Sequence, residues 1–284
     1  INMMLAGLLA GMFGVGGGFL ATPLLIFVGI PPAVAVASQA NQVIANSVSS
    51  LQVQWRRGNV DLRMGLVLLL GGMIGSSAGV SLFTYLKRIG QIDFVIAVLY
   101  VVMLSSIGLL MLAESLRTYL RRRRNPEAPR GKLHTHYLVH RLPLKLRFYK
   151  SKLYISALLP VGLGFLIGVL SAILGVGGGF VLVPAMIYLL GMPTSVVIGT
   201  SNFQILFVAA NVTFLQAATN GTVDVVLALL LILGGVVGAP VGSRLAAKLP
   251  GVALRGLMAV LILAVAAELL TELLQTPSSI YSLS

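Results

Sequence analysis

Two runs of glycine interrupt the most apolar parts of this 284-residue chain, and a proline follows each run. Both runs lie in the hexapeptide GVGGGF. Glycine lets a ligand approach the backbone closely, and a helix that restarts after a break presents free N–H groups and the positive end of its dipole. Such an end binds an anion without a charged side chain, whereas close helix packing is the alternative role. The candidate glycines are Gly16, Gly17, Gly18, Gly177, Gly178 and Gly179.

Uncharged polar side chains form a second cluster, about twenty residues after each glycine run. They occupy ASQANQ in the first copy and GTSNFQ in the second, within segments that are otherwise apolar. Hydroxyls and amides complete the shell of a bound oxyanion, so we expect these residues to contact a substrate. Joining helices through hydrogen bonds is the alternative role. The candidate binding residues are Ser38, Asn41, Gln42, Thr200, Ser201, Asn202 and Gln204.

Two aspartates, Asp61 and Asp224, stand at matching places in the motifs GNVD and GTVD. Proton carriage is one possible role. A helix N-terminus is the favoured one, with Asn59 or Thr222 as the cap and the aspartate in the first turn. No other acidic residue lies well inside an apolar segment, so the sequence offers no obvious proton carrier.

Catalytic and metal-binding patterns are missing from the apolar segments. The chain has no cysteine, which excludes thiolate chemistry and cysteine-ligated metals. The three histidines, His134, His136 and His140, lie in a basic segment without acidic partners, so solvated side chains are favoured over metal ligands. No Ser–His–Asp or paired-carboxylate arrangement is present in an apolar segment. We therefore expect a protein that is not an enzyme and has no metal or cofactor.

Composition places these residues in a membrane. Hydrophobic residues make up 57% of the chain and charged residues only 10%, against roughly 25% charged in soluble domains. Several apolar runs reach the roughly 20 residues that cross a bilayer as a helix. The sequence predicts an all-α polytopic membrane protein.

An internal repeat organises the chain. At an offset of 161 to 163, the glycine runs match each other, as do GNVD with GTVD and GGMIGSSAG with GGVVGAPVG. Each repeat is predicted to hold a glycine-broken helix hairpin and three further transmembrane helices. For the last pair of segments, we expect tight helix packing. The predicted division is repeat 1 over 1–113, a basic cytoplasmic loop over 114–152, repeat 2 over 153–275 and a polar tail over 276–284.

Basic residues indicate the orientation. Twelve of the twenty Lys and Arg residues lie between Arg117 and Lys152. A basic loop between spans is typical of the cytoplasmic face and can hold anionic lipid head groups. Because the charge is confined to this segment, nucleic-acid binding is disfavoured. The remaining basic residues favour inverted over parallel repeats, since inversion puts most of them in the cytoplasm.

The paired GVGGGF motifs, GTSNFQ, NGTVD and the GAPVG segment together resemble the TauE/SafE family of sulfite and organosulfonate exporters. The resemblance covers nearly the whole chain. It implies a carrier of small sulfur-containing anions in the bacterial inner membrane, with coupling to protons. By position, the path-lining residues would be 14–19, Gln42, 175–180 and 200–204. The first copy departs from the second, because it reads ASQANQ where the second reads GTSNFQ.

The function expected from these observations is a secondary transporter that binds a small anion at two broken-helix ends near the midplane and works by alternating access. A passive anion channel would use the same donors. A structural or lipid-binding membrane protein would explain the packing glycines and the basic loop, but not the polar clusters.

Overall fold

The computed structural model describes residues 18–124, 145–148, 150–151, 153–234 and 251–274. Within these ranges the chain is predominantly helical. The helices are α1 Gly18–Phe27, α2 Pro32–Arg56, α3 Leu62–Arg88, α4 Ile92–Arg124, α5 Leu158–Leu174, α6 Gly179–Tyr188, α7 Thr194–Asn220, α8 Val225–Gly234 and α9 Gly251–Leu274. The strands are β1 Lys145–Phe148 and β2 Leu153–Ser156.

Three stretches among the described residues are long and apolar enough to cross a membrane: Leu62–Arg88, Ile92–Ala113 and Ser195–Asn220. They lie in α3, α4 and α7. Shorter apolar helices, among them α5 and α6, pack beside them. The helical fold with several apolar spans is the one that the composition predicts.

The two matched aspartates cap helices. Asp61 is the N-cap of α3, and its Oδ1 accepts a hydrogen bond of 3.2 Å from the Met64 N–H. Asp224 precedes α8, and its Oδ1 accepts one of 3.0 Å from the Leu227 N–H. The caps expected at Asn59 and Thr222 lie two residues too early, because the aspartates themselves are the caps. Asn59 instead donates from its side chain to Gln54.

Glycine allows α3 and α5 to pack backbone to backbone. A Cβ at Gly71 or Gly75 of α3 would overlap a carbonyl oxygen of α5, and one at Gly164 of α5 would overlap the Leu68 carbonyl of α3. Contacts advance in the same direction along both helices, so α3 and α5 run parallel. The segment GGMIGSSAG therefore serves tight packing.

The matched helices α2 and α7 run antiparallel. The Asn202 side chain of α7 donates a hydrogen bond of 2.8 Å to the Ser50 hydroxyl of α2. Near the opposite end of α2, the Ser38 hydroxyl accepts a hydrogen bond of 3.1 Å from the backbone N–H of Asp224, which follows α7. The beginning of each helix therefore lies beside the end of the other.

A β-hairpin corrects the expectation of an all-α fold. Strands β1 and β2 pair antiparallel, with Phe148 opposite Leu153. The side chains of Phe148 and Ile155 are buried, and the turn residue Ser151 donates two hydrogen bonds to the Asp61 carboxylate. The dense basic residues of this segment predicted a loop and obscured the period-two alternation of two very short strands. In addition, α4 continues to Arg124, beyond the predicted start of the loop at residue 114.

Candidate substrate-binding site

The second glycine run breaks a helix. Helix α5 ends at Leu174, and α6 begins at Gly179. Between them, Gly175, Gly177 and Gly178 have φ angles of +68°, +70° and +71°, a left-handed conformation that residues with a Cβ rarely adopt. No side chain caps α6 at Gly178. The start of α6 therefore presents the positive end of a helix dipole that no side chain caps.

The break lies between the polar segments of both halves. A Cβ at Gly177 would overlap Val43 of α2 and lie 2.9 Å from Ile205 Cγ2 of α7. Val43 follows Gln42, and Ile205 follows Gln204. The turn therefore contacts both helices at the level of these two glutamines, although they are far apart in the sequence.

Gln42 and Gln204 are buried with hydrogen-bonding atoms that have no partner. Gln42 is 1% exposed and Gln204 is 0% exposed. The Gln42 Oε1 accepts a hydrogen bond of 2.6 Å from the side chain of Gln39, but Gln42 Nε2 and Gln39 Oε1 have no partner among the described residues, and neither does either side-chain atom of Gln204. A buried amide left in this state costs about 1–3 kcal/mol. These amides therefore have hydrogen-bonding capacity left for a ligand. Thr22, Thr213 and Gln216 each carry one such atom as well.

Gln204 also lies against α3. A Cβ at Gly72 would lie 2.8 Å from Gln204 Nε2, so a larger residue there would displace the amide from its present position. Gly72 belongs to the same glycine face that packs against α5 near Gly164 and Gly168. The amide of Gln204 thus lies where α3, α5 and α7 meet, next to the broken helix.

The remaining polar candidates make hydrogen bonds within the protein. Ser38 and Thr200, both fully buried, accept from the backbone N–H groups of Asp224 and Asp61. Ser201 donates to the Ile198 carbonyl. The half-buried Asn202 donates to Ser50 and to the same carbonyl. Asn41 donates to the Ser38 carbonyl at 3.4 Å. These contacts join helices or brace a single helix.

The first glycine run falls at the edge of the described residues. Gly18 begins α1, whereas Gly16 and Gly17 lie outside them. The three histidines also lie outside, so their expected solvation stays a prediction. Among the residues that the structure does describe, no cluster of three His, Cys, Asp or Glu side chains could hold a metal.

Tyr100 is a site residue that the sequence analysis missed. It is fully buried on α4, and its hydroxyl donates to the carbonyl of Leu174, the last residue of α5. Thr22 of α1 lies nearby and is also fully buried. A lone tyrosine in an apolar span is the signal that was available, because a buried phenol needs a hydrogen-bond acceptor. Tyr100 ties α4 to the end of the broken helix.

Basic side chains are absent from the segments that build this site. The sequence has no Lys or Arg in residues 1–55, 64–86 or 153–243. Among the described side chains, Asp61 is the one buried residue of a charged type, and its carboxylate is held by Ser151 and the Met64 N–H. Any anion bound at the break is therefore held by backbone dipoles and neutral side chains.

A broken helix, apolar spans and buried amides fit a multi-pass membrane protein of the transporter class. The chain belongs to the sulfite exporter TauE/SafE family, whose model matches residues 2–269.

Individual relatives agree with this assignment. A probable membrane transporter protein of Xylella fastidiosa (strain 9a5c) is 30% identical over 246 residues, which cover 86% of this chain and 82% of the relative. The probable membrane transporter protein YjnA of Bacillus subtilis is 29% identical over 266 residues, or 92% and 94% of the two chains. Sulfite exporter TauE/SafE family protein 1 of Arabidopsis thaliana is 43% identical over 53 residues, 18% of this chain and 12% of that protein. No solved structure matches the chain. These relatives are named as transporters, not as enzymes.

Proposed function

We propose that this protein is a secondary transporter of small sulfur-containing anions, such as sulfite, thiosulfate or organosulfonates, across the bacterial inner membrane. The observation that carries the proposal is the pair of buried amides, Gln42 and Gln204, beside a helix start that no side chain caps. Gln42 Nε2 and both side-chain atoms of Gln204 have no partner among the described residues. An oxyanion accepts hydrogen bonds from amide N–H groups and is attracted to the positive end of a helix. Both requirements are met at the same level of the molecule.

Reciprocal hydrogen bonds support two inverted repeats. The Asp61 N–H donates to Thr200 at 3.0 Å, and the Asp224 N–H donates to Ser38 at 3.1 Å. In the sequence repeat, the two aspartates match each other and the two hydroxyl residues match each other. Such reciprocity is typical of a two-fold relation. Because the matched helices α2 and α7 are antiparallel, an axis between them lies in the membrane plane if both cross the bilayer, as in inverted-repeat transporters.

The proposed transport mechanism is alternating access between the two repeats. Rocking one repeat against the other would open the central amides first to one side of the membrane and then to the other. The basic segment between the repeats lies in the cytoplasm and contacts anionic lipid head groups. Protons are the proposed coupling ion, as the family resemblance implies.

Flux measurements in proteoliposomes test the proposal. The wild type should accumulate sulfite against its gradient when a proton gradient is imposed. Replacing Gln204 with leucine (Gln204→Leu) should reduce this flux by about 10- to 100-fold, because a hydrogen bond to a charged group is worth about 1.5–3 kcal/mol.

Gln216→Leu is the matched control. Gln216 lies on the same helix and is equally buried, and its Nε2 also lacks a partner among the described residues. It differs in position, because its Oε1 accepts from Asn220 and Thr222 near the end of α7 that is far from Gln204. This variant should lose stability and keep its flux per folded molecule. Equal flux in wild type and Gln204→Leu would refute the site. Flux that only ever runs downhill would indicate a passive channel, and the absence of any flux would favour a structural or lipid-binding protein.

A further inference from the structure

We infer that the site takes singly charged oxyanions and rejects doubly charged ones, so that sulfite is carried as hydrogensulfite together with its own proton. This inference rests on the proposed function and narrows it to singly charged substrates, which removes thiosulfate, a dianion near neutral pH, from the candidates. It follows from the charges and the unpaired hydrogen-bonding atoms around the break.

The positive charge available to an anion is small. No lysine or arginine occurs in the segments that form the site. The attraction therefore comes from helix ends, each equivalent to roughly +0.5 elementary charge. The described break supplies one such end, at Gly179. This end offsets part of one negative charge, and the buried amide N–H groups complete the shell of a monoanion.

A second negative charge would stay uncompensated. The cost of moving an ion out of water rises with the square of its charge, so a dianion pays about four times the desolvation penalty of a monoanion of the same size. The attraction to a fixed dipole rises only in proportion to the charge. A site held together by dipoles and amides is therefore selective for a single charge.

The unpaired atoms indicate a ligand that also donates. Within the described part of the chain, Gln204 has both its Nε2 and its Oε1 without a partner, and Gln39 Oε1 has none either. An amide presents one donor edge and one acceptor edge whichever way it is turned. A fully deprotonated oxyanion can satisfy only the donor edge. Hydrogensulfite carries one proton, which can be donated to an amide oxygen while its other oxygens accept.

No other group near the site changes this balance of charge. Among the described residues, the ionisable groups on or beside the packed elements are Asp61 next to Thr200, Asp93 next to Ala33, Asp224 next to Ser38, Tyr100 at Leu174, Tyr188 at the end of α6, Arg56 and Arg57 at the end of α2, Arg63 at the start of α3, Tyr85, Lys87 and Arg88 at the end of α3, and Lys150 at Gly58. The basic ones lie at helix ends or in the hairpin turn, and the aspartates add no positive charge.

The inference also explains how protons are coupled without a carboxylate inside the spans. Sulfite takes up a proton in solution on one side, crosses as hydrogensulfite, and releases the proton on the other side. Each cycle moves one proton and one net negative charge in the same direction. The protein binds the protonated anion and does not itself need to be protonated.

Ligand-induced stabilisation of the purified full-length protein tests the charge selectivity. Three probes separate the effect of a ligand's charge from that of its chemical identity. Methanesulfonate is a monoanion and sulfate a dianion over the whole pH range of the experiment, whereas sulfite changes from a monoanion to a dianion near neutral pH. The apparent Kd for total sulfite should rise about tenfold per pH unit above that transition, because the competent fraction falls by that factor. The Kd for methanesulfonate should change by less than about twofold, and sulfate should bind at least about tenfold more weakly at every pH.

Two kinds of failure can be told apart. If sulfate binds as tightly as methanesulfonate, or if sulfite binds more tightly as the pH rises, the charge selectivity is wrong while the anion site stands. If none of the three probes raises the Tm at any pH, the proposed function falls and the inference falls with it. In the supporting case, Gln204→Leu should abolish the shifts and Gln216→Leu should retain them, each compared with its own unliganded Tm.

Discussion

Gly177 fixes the level at which the broken helix meets its neighbours. Its φ of +70° is left-handed, and a Cβ there would overlap Val43 and approach Ile205. Any larger residue would push α2 and α7 away from the break. Since Gln42 and Gln204 precede these two contacts in the chain, the absence of one side chain keeps both amides beside the helix start.

Replacing Gly177 with alanine should therefore destabilise the protein by more than the left-handed backbone conformation alone would cost. The left-handed conformation costs a residue with a Cβ about 1–2 kcal/mol, and forced contacts in a packed core add about 1–3 kcal/mol. Gly191→Ala is the control, because Gly191 has a φ of +71° and nothing within 4 Å of an added Cβ. We expect a larger loss of Tm for Gly177→Ala, together with loss of anion-induced stabilisation. Similar effects of the two substitutions would contradict the packing role.

For single residues, the sequence predicts the type of local structure better than it predicts the hydrogen-bond partners of each side chain. The run of glycines predicted a break, and matched aspartates predicted helix starts, because both depend on local backbone chemistry. The sequence could not separate Gln42 and Gln204 from Ser38 and Thr200. All four are uncharged polar residues in equivalent segments, and only their tertiary neighbours show which hydrogen bonds are made.

Helices α3 and α5 form the closest helix pair among the described elements. Their glycines let the backbones touch, so packing area and dipole contacts replace side-chain interdigitation. This pair supports the site directly, because α5 ends at the glycine break and α3 provides Gly72 beneath the Gln204 amide.

Gly71→Ala should separate these two helices. A Cβ at Gly71 would overlap the Val161 carbonyl oxygen, a backbone atom that cannot rotate away. Gly162→Ala is the control, because Gly162 follows Val161 on α5 but an added Cβ there has nothing within 4 Å. We expect Gly71→Ala to lower the Tm strongly and Gly162→Ala to leave it unchanged or raise it, since alanine favours helix by about 1 kcal/mol over glycine. A Gly71→Ala protein as stable as the wild type would show that the helices are not this close.

Element boundaries illustrate where sequence patterns stop being informative. Spacing of small residues predicted that α3 packs tightly, but it could not name α5 as the partner. The arginines 121–124 suggested a loop, yet arginine has a high helix propensity, and α4 continues through them. The β-hairpin was missed because four-residue strands carry too little pattern to stand out from a basic segment.

The whole molecule is organised by contacts between the halves. Each half provides the hydroxyl that accepts the first backbone N–H of a capped helix in the other half, and α2 and α7 cross at the centre in opposite directions. The β-hairpin breaks this symmetry. It holds Asp61 through Ser151, whereas Asp224 is exposed and has no such hairpin among the described residues.

Labelling of introduced cysteines tests the inverted arrangement, and the natural chain provides a cysteine-free background. Arg57 and Thr219 are exposed, occupy matching positions at the ends of α2 and α7, and are suitable for Arg57→Cys and Thr219→Cys. Inverted repeats predict that a membrane-impermeant maleimide labels the two cysteines from opposite sides, with Arg57→Cys labelled from the cytoplasm. Labelling of both from the same side would establish parallel repeats.

The reciprocal hydrogen bonds also bear on biosynthesis. As the ribosome releases the chain, the first half reaches the bilayer with the Asp61 N–H unpaired and the glycine face of α3 uncovered, because Thr200 and α5 have not yet been made. The nascent first half is thus an unfinished unit that must remain in the membrane until the second half arrives. Two fragments cut within the basic segment should accordingly assemble when they are produced together, and neither should mature alone.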